Sequence, residues 1–334
     1  ATSVTLYGTV DAGYEGWSYG KDLSDLDNTF VQGGDSESNS RFGIRGQEDL
    51  GNGLAAVFTL EGRFGADIGA IRGTDNFFQR EATVGLKGSF GEVKVGHARS
   101  QVELALGGIV PGHRVADVDL YSVVAPRHSN GLFYSYDNAG FSFGADVTTK
   151  GGALGNANEG ATGSKVGYGL RLGYTGQVGG NVTLLARAAY QNDGTPVVVG
   201  TKTVKTQEWG GLLAAVVPLS NNSLTVGVAY AQGKGNGRGF ADGAAVDKAR
   251  TLSAVIAAGF GSNDSAYVKY QQRKGSVSGA TAYNGNVWAV GYEHNLSKRT
   301  SVYADVAYAT IKNTGGPANK GTATGYSVGL AHNF

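Results

Sequence analysis

Bulky apolar residues recur at every second position through most of this chain. Tyr326, Val328, Leu330, His332 and Phe334 alternate with Ser327, Gly329, Ala331 and Asn333. Near the start, Val4, Leu6, Val10 and Ala12 alternate with Thr5, Tyr7, Thr9 and Asp11. A β-strand turns successive side chains to opposite faces, so each such run has one apolar face and one small or polar face. Between them, Val166, Tyr168, Leu170, Leu172 and Tyr174 oppose Lys165 and Arg171, and Val182, Leu184, Ala186, Ala188 and Tyr190 oppose Thr183, Arg187 and Gln191. Trp288, Val290, Tyr292 and His294 oppose Ala289 and Glu293, and Val302, Ala304, Val306 and Tyr308 oppose Tyr303 and Asp305. The charges fall on the face away from the apolar set. A wall with lipid outside and water inside requires that division. No stretch approaches the roughly 20 apolar residues of a membrane helix.

The connections between runs alternate in length. Short ones at 48–53, 89–91, 137–140, 178–181, 218–222, 259–264 and 295–299 are rich in Gly, Asn and Asp, the residues of tight turns. Long ones fall between them, at 15–39, 66–76, 99–126, 150–164, 193–204, 233–248, 275–284 and 313–321. Seven short and eight long connections in strict alternation predict sixteen strands in an up-and-down antiparallel meander. Both ends read as strands, so the first can pair with the last and leave no open edge. The predicted fold class is therefore all-β: a transmembrane, 16-stranded antiparallel β-barrel forming one domain over residues 1–334. A 22-stranded transporter would need a longer chain with a plug, and no repeat of propeller length is visible.

Composition changes the picture in three ways. The 56 glycines are interleaved with Val, Leu, Tyr and Phe inside alternating runs, so they read as strand glycines that relieve crowding on a curved wall. The absence of Cys excludes disulfides and thiolate chemistry. A net charge of +1 argues against a nucleic-acid partner. The chain opens on Ala1-Thr-Ser and reads as mature, its secretory signal removed.

Catalysis finds no support. None of the five histidines sits in a nucleophile motif, and no glycine-rich phosphate loop precedes a helix. Alternation places His97, His128, His294 and His332 on the outward face, at interfacial belts. The acids of the first long loop, Asp22, Asp25, Asp27, Asp35 and Glu37, lack the spacing of an EF-hand and read as a solvated surface. The expectation is no catalytic residue, no cofactor and no metal.

Several segments in combination resemble the trimeric general porins of the Gram-negative outer membrane, most closely their β-proteobacterial, often anion-selective branch. They are Val4-Thr-Leu-Tyr-Gly-Thr-Val-Asp-Ala-Gly13, Ser40-Arg-Phe-Gly-Ile-Arg-Gly-Gln-Glu-Asp-Leu-Gly-Asn-Gly-Leu54, Thr83-Val-Gly-Leu-Lys-Gly-Ser-Phe-Gly-Glu-Val93, His294-Asn-Leu-Ser-Lys-Arg-Thr300 and Gly329-Leu-Ala-His-Asn-Phe334. The strand ending on Phe334 also resembles the signal read by the outer-membrane assembly machinery. The resemblance implies a homotrimer in contact with outer-membrane lipid and lipopolysaccharide, passing small hydrophilic solutes and anions. It implies that the third long loop, 99–126, folds into the lumen and narrows it. It also implies an arginine cluster at the constriction, matched here by Arg41, Arg80 and Arg127, with Glu61 as an acidic wall residue. The loop acids Asp117 and Asp119 complete the expected constriction, with Glu103 as a competitor. Contact between subunits is expected from the first strands and loop 66–76, where Asp67 and Arg72 could latch a neighbour.

Alternation can be set against these expectations. Arg41 opposes Phe42 and Ile44, and Arg127 opposes Leu132, Tyr134 and Tyr136, so both face the lumen. Arg80 shares parity with Ala82, Val84 and Leu86 on the lipid side. An arginine at mid-bilayer there costs about 2–4 kcal/mol, so a β-bulge near Glu81 is expected to turn it inward. Alternation also sends Arg45, Arg63, Lys87, Lys94, Lys165, Arg171, Arg187, Lys269 and Arg273 inward, against Asp11, Glu92, Asp137, Asp146, Glu208, Glu293 and Asp305. Bases exceed acids, which predicts an anion-preferring diffusion channel. The alternatives are a substrate-selective channel with a dedicated anionic-solute site and a non-conducting surface protein.

Overall fold

The structure is a computed structural model and describes residues 2–21, 28–32, 40–71, 76–107, 111–236, 245–313 and 320–334. Among them the strands are β1 (Ser3–Lys21), β2 (Thr29–Val31), β3 (Arg41–Gly51), β4 (Leu54–Arg63), β5 (Glu81–Gly88), β6 (Gly91–Arg99), β7 (Arg127–Asn138), β8 (Phe141–Lys150), β9 (Val166–Gln177) and β10 (Thr183–Asn192). They continue with β11 (Val197–Val199), β12 (Lys202–Val204), β13 (Gln207–Leu219), β14 (Asn222–Asn236), β15 (Ala245–Phe260), β16 (Asp264–Val277), β17 (Ala280–Asn295), β18 (Thr300–Asn313) and β19 (Gly321–Asn333). All but β2, β11 and β12 pair with their neighbours in sequence, each pair antiparallel. The ring closes where Thr9–Lys21 of β1 pairs with Gly321–Asn333 of β19 while Ser3–Thr9 pairs with Arg41–Gln47 of β3. A closed barrel of sixteen antiparallel strands results, with no edge left to pair elsewhere.

The apolar face of the alternation points outward. Leu172 is 62% exposed and Val290 54%, whereas the adjacent Ala289 is 1% exposed. Covering a Val or Leu side chain is worth about 1.5–3 kcal/mol. A belt of them left in water would make the barrel insoluble, whereas a hydrocarbon layer covers it without cost. The buried apolar clusters lie on the other side of the wall. Val102, Ala105, Leu106, Leu120, Tyr121, Val123 and Val124, all from the segment between β6 and β7, cluster with Ala189, Leu212, Ala229, Ala231, Val246 and Ala249 of the wall. Val115 and Ala116 cluster with Tyr267, Ala289 and Ala307.

The connections differ from expectation at three places. The long loop expected at 275–284 is a two-residue turn, because β16 runs to Val277 and β17 begins at Ala280. Ser278 and Gly279 both take positive φ (52° and 81°). Two such residues match the right-handed twist of a hairpin, and register shifts at Gly275/Ser276 and Asn284/Gly285 hid the pairing from simple alternation. The first strand runs on to Lys21, so its loop starts later than residue 15. The expected loop 193–204 contains its own small hairpin, β11–β12. The first-loop acids Asp22, Asp25, Asp27, Asp35 and Glu37, and Arg72, lie outside the described residues.

Candidate functional site

Among the described residues, the segment joining β6 to β7 is tied at several points to inward-facing side chains of the wall. It begins with a short helix, α1 (Gln101–Leu106). The first N–H groups of a helix lack partners within it. Here Gln191 of β10 supplies one, its Oε1 accepting from the Val102 N–H at 3.2 Å. Further on, the chain makes a single 3-10 turn, Arg114–Ala116. His113 lies flat on Tyr303, with ring centroids 4.0 Å apart. Its Nε2 stands 2.7 Å from Glu293 and its Nδ1 3.0 Å from Asp305. Arg114 is almost wholly buried. Its Nε donates to the Tyr303 hydroxyl at 2.8 Å, Nη1 lies 3.6 Å from Glu15, and Nη2 lies 4.0 Å from Asp11. The backbone N–H groups of Ser122 and Val123 donate to the buried Glu208 carboxylate at 2.7 and 3.0 Å. Lys269 donates to the Pro111 carbonyl and Gln271 to that of Asp119. Loops have no period of their own, so inward side chains fix this one.

The expected arginines meet beside the root of this segment. Arg41, at the start of β3, holds its Nε 3.9 Å from Glu61 Oε1. Arg80 donates from Nε to Glu61 Oε2 at 2.7 Å. Arg127 donates from Nε to the Arg80 carbonyl at 2.9 Å, and its Nη1 is 4.0 Å from Glu103 of α1. Glu103 also meets Arg99 Nη2 at 3.3 Å and accepts from the Tyr121 hydroxyl at 2.6 Å. Burial pushes its carboxyl upward, but the Tyr121 hydroxyl and the charges of Arg99 and Arg127 outweigh this and hold it below the usual range. Arg41, Arg80, Arg99 and Arg127 thus share two carboxylates, Glu61 from the wall and Glu103 from the loop.

Arg80 reaches Glu61 without the expected bulge. The β4–β5 register is unbroken from Ala55/Lys87 to Glu61/Glu81. Arg80 stands one residue before β5 begins, where alternation no longer binds it. The neighbouring Gln79 side chain takes over the pairing, bonding the N–H and C=O of Arg63.

His128 also departs from expectation. It is fully buried, with Nδ1 2.6 Å from Asp146 and Nε2 2.8 Å from Asp193. Between Gly96/Gly131 and Ala98/His128 the ladder gains one residue, and Asn130 takes φ 53°. That bulge reverses parity for the first residues of β7. By alternation Arg127 would then face outward. It sits at the strand's end, and its guanidinium turns back to Arg80 and Glu103.

Asp117 and Asp119 are exposed, farther along the segment. Asp117 attracts Lys269, and the Asp119 carbonyl accepts from Gln271 and Arg273. The loop carboxylate that meets Arg99 and Arg127 is Glu103. Glu15 and Glu81 are also inward and were missed. Glu15 fell within the expected first loop, although it continues the Asp11 parity, and Glu81 pairs with Lys94 at 3.4 Å.

The barrel agrees with comparison against known proteins. Residues 1–316 match the Gram-negative porin family. The chain belongs to the Gram-negative porins. Among curated relatives, outer membrane porin protein 32 of Delftia acidovorans is 29% identical, with 100% of this chain and 94% of that protein covered. The major outer membrane protein P.IB of Neisseria lactamica is 30% identical, over 99% of this chain and 94% of that protein. Among solved structures, the anion-selective porin from Comamonas acidovorans superposes with a TM-score of 0.70 at 24% identity, over the full length of both chains.

This porin is therefore an outer-membrane diffusion channel and not an enzyme. It does no chemistry: a water-filled path lowers the barrier that lipid sets against a small hydrophilic solute, and wall charges select among solutes. The His113 tie to the wall is expected to weaken as pH rises. Burial lowers the His113 pKa, but hydrogen bonds to Asp305 and Glu293 outweigh it and push the value up to about 9. A raised value means that the stabilisation is fully present below the unfolded histidine's pKa and is lost as pH rises through about 9. Single-channel recordings are expected to show more closures as pH is raised through that value. His113→Gln is expected to close more often at neutral pH and to lose this dependence.

Proposed function

We propose that this porin is an anion-preferring channel whose residues 1–334 act as one barrel domain, with segment 99–126 as its constriction. Arg41, Arg80 and Arg127 form the basic side, Glu61 partly neutralises it, and Asp117 and Asp119 are exposed acids on the loop side. Glu103 joins them as the loop acid nearest the arginines. The observation that carries this reading is the convergence of four guanidiniums, those of Arg41, Arg80, Arg99 and Arg127, around Glu61 and Glu103. Guanidinium stays charged at any relevant pH, and a low-dielectric wall around narrow water concentrates its field. The Comamonas porin, described as anion-selective, shares the fold. Reversal potentials in planar bilayers across a KCl gradient test the reading, and the expected sign is that of chloride preference. A potassium preference refutes it.

The same proposal extends to a homotrimer in lipid and lipopolysaccharide. Phe42 and Phe77 pack with ring centroids 5.5 Å apart, and Phe77 and Phe78 4.8 Å apart. Ile68 of loop 66–76 is 81% exposed. This apolar flank suits a neighbouring subunit. Native mass measurement in mild detergent is expected to give three copies, and insertion into bilayers three conductance steps. A conducting monomer refutes the trimer.

A further inference from the structure

The inner wall carries two arginines, Arg171 and Arg187, that the constriction does not use. Arg99, Arg171 and Arg187 line a cavity of about 710 Å³ whose far rim is the short connection at Asn138–Phe141. The cavity therefore lies between α1 and the short-connection end of the barrel. Arg171 pairs across strands with Gly144, and Arg187 with Gly173. A Cβ at residue 144 would stand 2.7 Å from Arg171 Nη2, so glycine there lets the guanidinium lie against the wall. Buried Gln101 of α1 fixes that head, its Oε1 accepting from Arg171 Nε at 3.3 Å.

The positive charge is not balanced locally. Among the described residues, salt bridges of the arginine row go to Arg41, Arg80, Arg99 and Arg127, and neither Arg171 nor Arg187 has one. The Arg99 Nε is buried without a hydrogen-bond partner. Asp137 on the rim attracts Arg171, while Arg187 and Arg99 repel it. Three guanidiniums thus face one rim carboxylate, and Glu103 beside Arg99 still leaves a cationic excess. The volume holds a small solute with part of its water, and each guanidinium offers a planar fork of donors.

We propose that this cavity is a second anion subsite, on the short-connection side of the constriction, that holds a small doubly charged oxyanion. Phosphate and short dicarboxylates share the chemistry that it would recognise: paired oxygens and a charge that offsets the excess. The subsite rests on the reading of segment 99–126 as the constriction of an anion-preferring pore. An anion that passes the arginines at Glu61 and Glu103 would next meet Arg171 and Arg187, with Arg99 between the two groups.

The test is block of chloride current through the reconstituted channel by dianionic phosphate, added to either side in turn, with succinate as a second probe. Saturable block is expected, stronger from the short-connection side. Arg171→Gln with Arg187→Gln is expected to weaken it about tenfold, equivalent to ~1.4 kcal/mol. Open-channel current through the variant shows that it has folded, and Arg187→Lys, which keeps the charge, is expected to retain most of the block. Block by phosphate but not succinate narrows the site to tetrahedral oxyanions; block by both supports the wider class. An anion-preferring wild type with unsaturable block, with equal block from both sides, or with block unchanged in the double variant overturns the subsite alone. A cation-preferring wild type overturns the constriction reading beneath it as well.

Discussion

Replacing Arg41 and Arg127 together by Ser is expected to abolish most of the chloride preference and to raise single-channel conductance. Two guanidiniums leave the proposed constriction, and two small hydroxyls replace them. A unit charge pair at 4 Å is worth ~1 kcal/mol in water and ~4 kcal/mol at the effective dielectric near a protein surface. Removing two such charges is expected to shift the permeability ratio on the order of tenfold or more, since 1.4 kcal/mol is a factor of ten. The barrel should survive. Glu61 keeps Arg80 at 2.7 Å, and Glu103 keeps Arg99 at 3.3 Å and Tyr121 at 2.6 Å, so neither carboxylate is stranded. Raising the salt concentration should weaken the wild-type preference by screening. Reversal potentials across a KCl gradient measure both effects. An unchanged potential in the double variant means that these charges do not set selectivity.

Arg114→Ala is expected to release the loop from the wall. Arg114 is 1% exposed and lies between the Tyr303 hydroxyl, Asp11 and Glu15. Its removal leaves two carboxylates buried without their cation, a change that typically costs about 3–5 kcal/mol. The barrel ladders do not pass through Arg114, so the cost falls on the loop's attachment. Expected results are a lower unfolding temperature in detergent and a noisy channel with frequent partial closures. Arg114→Lys keeps the charge but loses the fork that serves Tyr303 and the carboxylates together, and should fall between the two. A quiet Arg114→Ala channel of wild-type stability would show that the remaining ties hold the loop unaided.

The barrel and the sides on which its charges fall were legible because period 2 is a property of the extended backbone. It holds wherever a ladder runs unbroken. Arg41, Glu61, Arg171 and Arg187 sit on such ladders, and counting from an apolar neighbour places each one. His128 and Arg80 show where counting stops. One inserted residue at Asn130 reverses the parity of His128, and Arg80 stands just outside β5. Neither a bulge nor the last hydrogen-bonded pair of a strand has a residue-level signature in a single sequence.

The sequence by itself determined an outward apolar belt, inward charges and a meander able to close, because each follows from local geometry and from turn residues a few positions long. Only the tertiary structure decided how the long segment meets the wall. His113 and Asp305 are 192 positions apart in sequence, Arg114 and Tyr303 189, and Ser122 and Glu208 86. A loop has no period to extrapolate, and contacts across such separations exist only once the ring has closed and set opposite walls face to face. For the same reason Glu103, rather than either aspartate, became the loop acid beside the arginines: its helix starts at the root of the segment, where β6 and β7 bring Arg99 and Arg127 together.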